Sequence, residues 1–118
     1  MELRQLLRVA DPLVERDQDL RRWQREFVDA VPIARVEPRQ PHTVVGVVKR
    51  IRVDPGRCVE VTIEDGSGEL TAAWPGRSTL RGVELGSALR LTGTVADDGG
   101  GRRRMRTPAW SPVSEPYA

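Results

Sequence analysis

Apolar residues recur with two different periods along this chain. In the first part Leu20, Trp23, Phe27 and Val31 stand three to four residues apart, with Arg and Glu between them. That spacing places one apolar stripe along a helix. Asp11 can cap its start, Pro12 suits its first position, and Pro32 limits its end, so the pattern predicts a helix over residues 12–30. A single stripe needs a surface to cover, and the helix is expected to dock on the domain C-terminal to it. The pattern is too short for several coiled-coil heptads. Residues 33–42 carry Pro38 and Pro41 and no clear period, and read as a connector.

From Thr43 the period shortens to two. The segment TVVGVVKRIRV is β-branched with Gly46 inside it, and its alternation slips between Val48 and Ile51. If Val48, Ile51 and Val53 all face inward, Lys49 and Arg50 must form a bulge. Gly46 and a bulge let one long strand curve as a small barrel requires. DPGR (54–57) is a turn by its proline and glycine. CVEVTIED then alternates, with Val59, Val61 and Ile63 on one face and Glu60, Thr62 and Glu64 on the other. In ELTAAWP, Leu70, Ala72 and Trp74 share a face. GRSTLRGVELG (76–86) reads as a loop with room for a short helical turn. SALRLTGTV places Leu89, Leu91 and Val95 inside, DDGGG is a turn, and RRRMRTPAW is the last strand candidate, closed by Pro108 and Pro112. An N-terminal helix before five strands, the first long and bent, predicts an all-β five-stranded Greek-key barrel, the OB-fold. The expected division is helix and connector over 1–41, barrel over 42–112 and tail over 113–118.

The segment Asp65-Gly66-Ser67-Gly68 carries an acid among glycines, which suits a calcium loop, a phosphate loop or a hairpin. A calcium loop needs further oxygen ligands at alternate positions and a glutamate at its twelfth. A P-loop needs Gly-Lys-Ser/Thr leading into a helix. Neither set follows Asp65. Two period-2 segments flank it instead, so it reads as a hairpin turn.

Composition narrows the chemistry. The length of 118 residues fits one small domain, and 38% hydrophobic with 31% charged residues fits a globular chain. No apolar run approaches the ~20 residues of a membrane span, and MELRQLLRVADP lacks a signal peptide's apolar core, so a cytoplasmic protein is expected. One cysteine, Cys58, and one histidine, His42, exclude an internal disulfide and leave a zinc site short of its usual ligands. His42 has no nucleophile at a readable spacing, so no catalytic, metal or cofactor site is expected. Net charge is only +2, with acids matching arginines over residues 1–42, whereas 102–106 is a local basic run.

The order V-x-G-x-V, then V-x-V-x-I-x-D-G-S-G-x-L-x-A-x-W, then L-G-S-x-L-R-L-T-G-T-V resembles the OB-fold nucleic-acid-binding superfamily, in the branch of anticodon-binding and single-strand-binding barrels. More closely, the chain is similar to small actinobacterial single-barrel proteins with a short N-terminal helix. Pro32-Ile33, Trp74-Pro75-Gly76-Arg77 and Gly82-Val83-Glu84-Leu85-Gly86 carry that likeness, which spans about residues 12–112. Such relatives end the last strand with a tyrosine, and here Trp110 stands in its place.

The resemblance implies single-strand binding across the outer face of strands two and three, flanked by the 1–2 and 4–5 loops. Cations would hold phosphates and aromatic rings would stack bases. With Met105 pointing inward, Arg102, Arg104 and Arg106 point outward on the last strand. Arg77 ends the third strand, Arg57 sits in the first loop and Arg90 faces out on strand four. Trp110, with Trp74 second to it, is the stacking candidate, although Trp74 shares the parity of the core positions. Glu60 and Glu64 lie on the same outer face and oppose phosphate. A cross-strand pair of Arg52 with Glu60 would make Arg50 and Arg52 structural. These residues point to low-specificity binding of single-stranded DNA or RNA, without catalysis. The alternative is a protein-interaction module on the same barrel.

Overall fold

The computed structural model describes residues 12–97 and 100–116, with the side chain of Asp97 outside that description. Helix α1 spans Pro12–Arg25, and a 3-10 turn covers Ile33–Arg35. Six strands come after it: β1 (Pro41–Asp54), β2 (Cys58–Glu64), β3 (Glu69–Pro75), β4 (Ala88–Asp97), β5 (Arg103–Arg106) and β6 (Ala109–Val113). The expected cap at Asp11 lies outside the described residues.

The strands close a barrel in the order β1-β2-β3-β5-β4, with β4 returning to β1. Only the β3–β5 contact is parallel. This is the five-position Greek-key barrel of the OB-fold. The extra strand comes from a break in the last one. Thr107 takes φ 50, the left-handed region, and Pro108 follows it. The backbone therefore kinks, leaving β5 beside Val95–Asp97 and β6 beside Ala88–Thr92 of the same β4. Pro112 sits within β6 rather than ending it, a position proline tolerates on an edge strand.

β1 serves two neighbours. Its first half pairs with β4 and its second half with β2. At the bend a Cβ on Gly46 would fall 2.9 Å from Ile63, so only glycine lets the strand fold that tightly over β2. The register slips between Val48 and Arg50, leaving Lys49 as the extra residue of a bulge. The bulge restores Ile51 to the inner side. The alternation places Val53 inside as well, yet it is 46% exposed. It lies at the open mouth of the barrel with Ile51 and Leu80.

Val44, Val48, Val61, Ile63, Leu70, Leu89, Leu91, Val95 and Met105 fill the barrel with Trp74. A second apolar cluster lies outside it. Leu20 and Trp23 of α1 cover Val45, Val47 and Ala88, with Phe27 and Val113 at the edge. The predicted stripe thus docks on the β1–β4 wall, although the helix ends at Arg25 rather than residue 30. Glu26 and Phe27 bond back to the carbonyls three residues earlier, a tightening that leaves the helix. Trp23 Nε1 donates to the Ser114 carbonyl at 2.9 Å, tying the helix to the segment after β6.

The turn at 65–68 does more than join β2 to β3. Asp65 is 1% exposed. One carboxylate oxygen accepts from the Ile33 amide at 2.8 Å, and the other accepts from the amides of Ser67 and Gly68 and from the Ser67 hydroxyl. A buried carboxylate with its lone pairs filled is a structural anchor. Ser67 Oγ also accepts from the Ala34 amide at 3.1 Å. Connector and hairpin are thereby fastened to each other.

Candidate functional site

The register across the outer face of the sheet sets the site. Arg50 stands opposite Thr62, Thr62 opposite Thr71, and Thr71 opposite Arg104. The next outer row runs Arg52, Glu60, Ala73 and Arg106. Each row begins and ends in arginine. Three inter-strand steps separate the two edges, about 14 Å at ordinary strand spacing. The floor between them is small: Thr62 and Thr71 share a hydroxyl–hydroxyl hydrogen bond at 2.9 Å.

The hollow so formed is a groove of about 570 Å³. Arg50, Arg52, Arg102, Arg103 and Arg104 line it against Glu60 and Glu69. Arg104 Nη2 lies 2.9 Å from Glu60 Oε1. Lys49, the bulged residue, bridges Glu69 and Glu64. Its pKa is held above the ordinary lysine value, chiefly by the hydrogen bond to Glu69 and then by the charge of Glu64, against a lowering from burial. Arg16 of α1 meets Glu64 as well. The acids that threatened to repel an anion are therefore matched from within. Among the described residues Arg50, Arg52, Arg102 and Arg103 form no ion pair.

Several expected site residues take other places. Trp74 is 3% exposed, and its Nε1 donates to the Pro108 carbonyl at 3.2 Å. It is a core residue that braces the kink before β6, and no ring face is open for stacking. Arg90 faces out, as expected, but on the wall covered by the N-terminal segment. Its Nε lies 2.9 Å from Asp29, and its guanidinium sits 5.6 Å from the Phe27 ring centroid. Those contacts consume it structurally. Trp110 lies on β6 opposite Leu91 and packs partly on the core, away from the groove. No aromatic ring lines the groove among the described residues.

Arg102 and Arg104 do line the groove, and Arg106 is exposed at the end of its second row. Arg57 and Arg77 are exposed further along the same sheet, where the Gly76 amide donates to the Arg57 carbonyl at 2.7 Å and holds the two loops together. Sequence reasoning missed Arg50 and Arg52 as groove residues. The cross-strand position of Arg52 and Glu60 is as expected, but Glu60 turns to Arg104 instead. The bulge that puts both arginines on the outer face was the available signal.

Other candidates for chemistry are structural. His42 Nε2 accepts from the Glu37 amide at 3.0 Å, pinning the connector. Cys58 is half-buried at the start of β2. Among the described residues no three His, Cys, Asp or Glu side chains are grouped to hold a metal ion, and no helix is long and apolar enough to cross a membrane.

Residues 42–113 match the family model described as OB-fold nucleic acid binding domain. No curated protein matches the chain. Among solved structures, a chain of a replication protein A heterotrimer bound to single-stranded DNA is similar with TM-score 0.53 and 23% identity, over 64% of this chain and 58% of that one. A replication factor A related protein from Methanobacterium thermoautotrophicum gives TM-score 0.56 and 19% identity, over 72% of this chain and 91% of that one. The HINa domain of Ifi202, in complex with duplex DNA, gives TM-score 0.58 and 14% identity, over 76% and 50%. The chain thus spans little more than half of the first of these structures and half of the last. At these identities the likeness is one of fold.

Proposed function

Since this chain belongs to the OB-fold nucleic acid binding domain family, we propose that it binds single-stranded nucleic acid through phosphate contacts, with little preference for sequence and without catalysis. The observation that carries this reading is the pair of arginine edges facing each other across a floor of threonine, alanine and Glu60, the acid being paired with Arg104. Guanidinium forks suit phosphate oxygens. An edge-to-edge width of about 14 Å takes one extended strand, with phosphates along the arginines and bases over the small floor. Without an aromatic platform in the groove, affinity comes mainly from counterion release rather than stacking. The single-stranded and duplex ligands of the structural neighbours are consistent with a nucleic-acid partner.

The test is fluorescence anisotropy with labelled single-stranded DNA, single-stranded RNA and duplex DNA, across a salt series. About four phosphate contacts give a slope near −3 in log K against log salt for single strands, or about 60-fold weaker binding between 50 and 200 mM. Arg50→Glu with Arg52→Glu should abolish binding while leaving the denaturation midpoint nearly unchanged. Absence of single-strand binding at low salt overturns the reading and turns attention to a protein partner. Tight binding that ignores salt overturns the mechanism.

A further inference from the structure

A second cationic recess lies on the far side of the 65–68 turn. It measures about 530 Å³ and is formed where the end of α1 meets the 3-10 turn. Arg21, Arg25 and Arg35 rim it, with Phe27, Pro32 and Ala34 as an apolar floor. Its one acid, Asp65, already has its carboxylate filled by the turn's own donors. Arg21 Nε donates to the Gly66 carbonyl at 2.9 Å, which fixes that guanidinium beside the turn. Arg25 and Arg35 are exposed and in no ion pair among the described residues.

The recess and the groove adjoin at Gly68, where Ser67 lines the one and Glu69 the other. A Cβ on Gly68 would lie 3.0 Å from Arg103 Nη1 on the groove side and 3.4 Å from Ile33 Cγ2 on the other. Ile33 opens the 3-10 turn that ends in Arg35. Arg103 therefore stands against Gly68, between the groove and the second set of arginines. A strand leaving the groove past Arg103 reaches the second set of arginines across Gly68, which presents no side chain.

We infer that the N-terminal helix and 3-10 turn form a second phosphate-binding subsite, which extends the track of the same single strand beyond the barrel. This rests on the reading of the groove above. It gives the helix a role in addition to covering the β1–β4 wall, and it predicts a binding footprint longer than the groove alone. The charge, the half-apolar floor and the position beside the groove all fit a nucleic-acid backbone and the bases attached to it.

The experiment compares single strands of about 6 and about 16 nucleotides, lengths spanning the usual footprint of one barrel. Binding is measured by anisotropy on the full chain near 0.1 M salt, where charges beyond about 10 Å are screened. Arg25→Glu with Arg35→Glu should weaken the longer strand about tenfold, reduce its salt slope by about 1.4, and leave the shorter strand within about twofold. Should the double variant unfold, Arg25→Gln with Arg35→Gln reads the same ordering with a smaller factor. Equal losses for both lengths, or no loss for the longer strand, overturn the subsite while the groove stands. If the wild-type chain binds neither length, the groove reading fails, and the subsite fails with it.

Discussion

Gly66→Ala tests whether α1 is seated on the hairpin as described, and Gly56→Ala supplies its control. Both glycines have left-handed backbones, with φ 85 at Gly66 and 76 at Gly56. At Gly56 a Cβ meets nothing within 4 Å. Alanine there costs only the left-handed strain of about 1–2 kcal/mol, partly offset by about 0.4–1 kcal/mol from a less flexible unfolded chain. The expected net loss at Gly56 is about 1 kcal/mol. At Gly66 the same Cβ would lie 2.3 Å from the Asp17 carbonyl oxygen, within α1. A carbon–oxygen contact ordinarily needs about 3.3 Å, so the helix must retreat by about 1 Å. Leu20 and Trp23 are buried beneath it, and overpacking of that kind adds about 1–3 kcal/mol. Gly66→Ala should therefore cost about 2–4 kcal/mol in total, out of the roughly 5–15 kcal/mol that holds a domain folded. Urea denaturation followed by tryptophan fluorescence measures both variants. With a slope of about 1.5 kcal/mol per molar, the Gly66 midpoint should fall by about 2 M and the Gly56 midpoint by less than about 1 M. Equal shifts would refute the seating of α1 on the turn.

Two further changes probe the charges around the groove. Glu60→Gln removes the acid nearest the groove centre and frees Arg104, so single-strand binding should tighten about fivefold and the salt slope steepen by about 0.7, at a stability loss below about 1 kcal/mol; weaker binding in an anisotropy titration would contradict the phosphate track. Lys49→Met removes the bridge between Glu64 and Glu69. Because the folded lysine's pKa is raised, its stabilisation is complete below the ordinary lysine pKa of about 10.4 and is lost as pH rises through the folded value. The urea-midpoint gap between wild type and variant should therefore be present at neutral pH and shrink in strong alkali, and a gap that widens would show that the bridge is not what Lys49 supplies.

The barrel was legible because its signals are local. Alternation at Val59, Val61 and Ile63, and at Leu89 and Leu91, marks inner faces that the strands bury. The slip between Val48 and Ile51 exposes the bulge in the same way. Other features needed contacts between distant segments. The helix stops at Arg25 although the stripe runs on through Phe27 to Val31: Phe27 still reaches the outer cluster from a tighter turn, and Val31 packs on the barrel core. The last strand breaks at Thr107, where the chain must leave β3 and follow β4 alone. Trp74 was legible as an inner residue by parity. Arg90 was not legible as a structural residue, because Asp29 lies 61 positions away. The groove was half visible for the same reason. Arg104 comes within reach of Glu60 only through the parallel β3–β5 pairing, and that pairing leaves Arg52 without its expected partner.

A net charge of +2 would ordinarily argue against a polyanion as ligand. The distribution of ion pairs removes that objection. Glu64 is held by Arg16 and Lys49, Glu69 by Lys49, and Asp29 by Arg90. These pairs join the helix, the bulge and the covered wall of the barrel to one another. Each acid so used is withdrawn from the field that an approaching strand meets, and several bases are used with them. Among the bases left over, Arg50 and Arg52 on the outer face of β1, Arg102 in the β4–β5 loop and Arg103 at the start of β5 stand together along the groove without acidic partners among the described residues. Surface ion pairs contribute little stability one by one. Here their larger consequence is electrostatic, because they neutralise the acids nearest the groove and leave its unpaired arginines to face an approaching strand. Reversing Arg50 alone should therefore cost far more in binding than the same reversal at Arg22, which is already paired with Asp19.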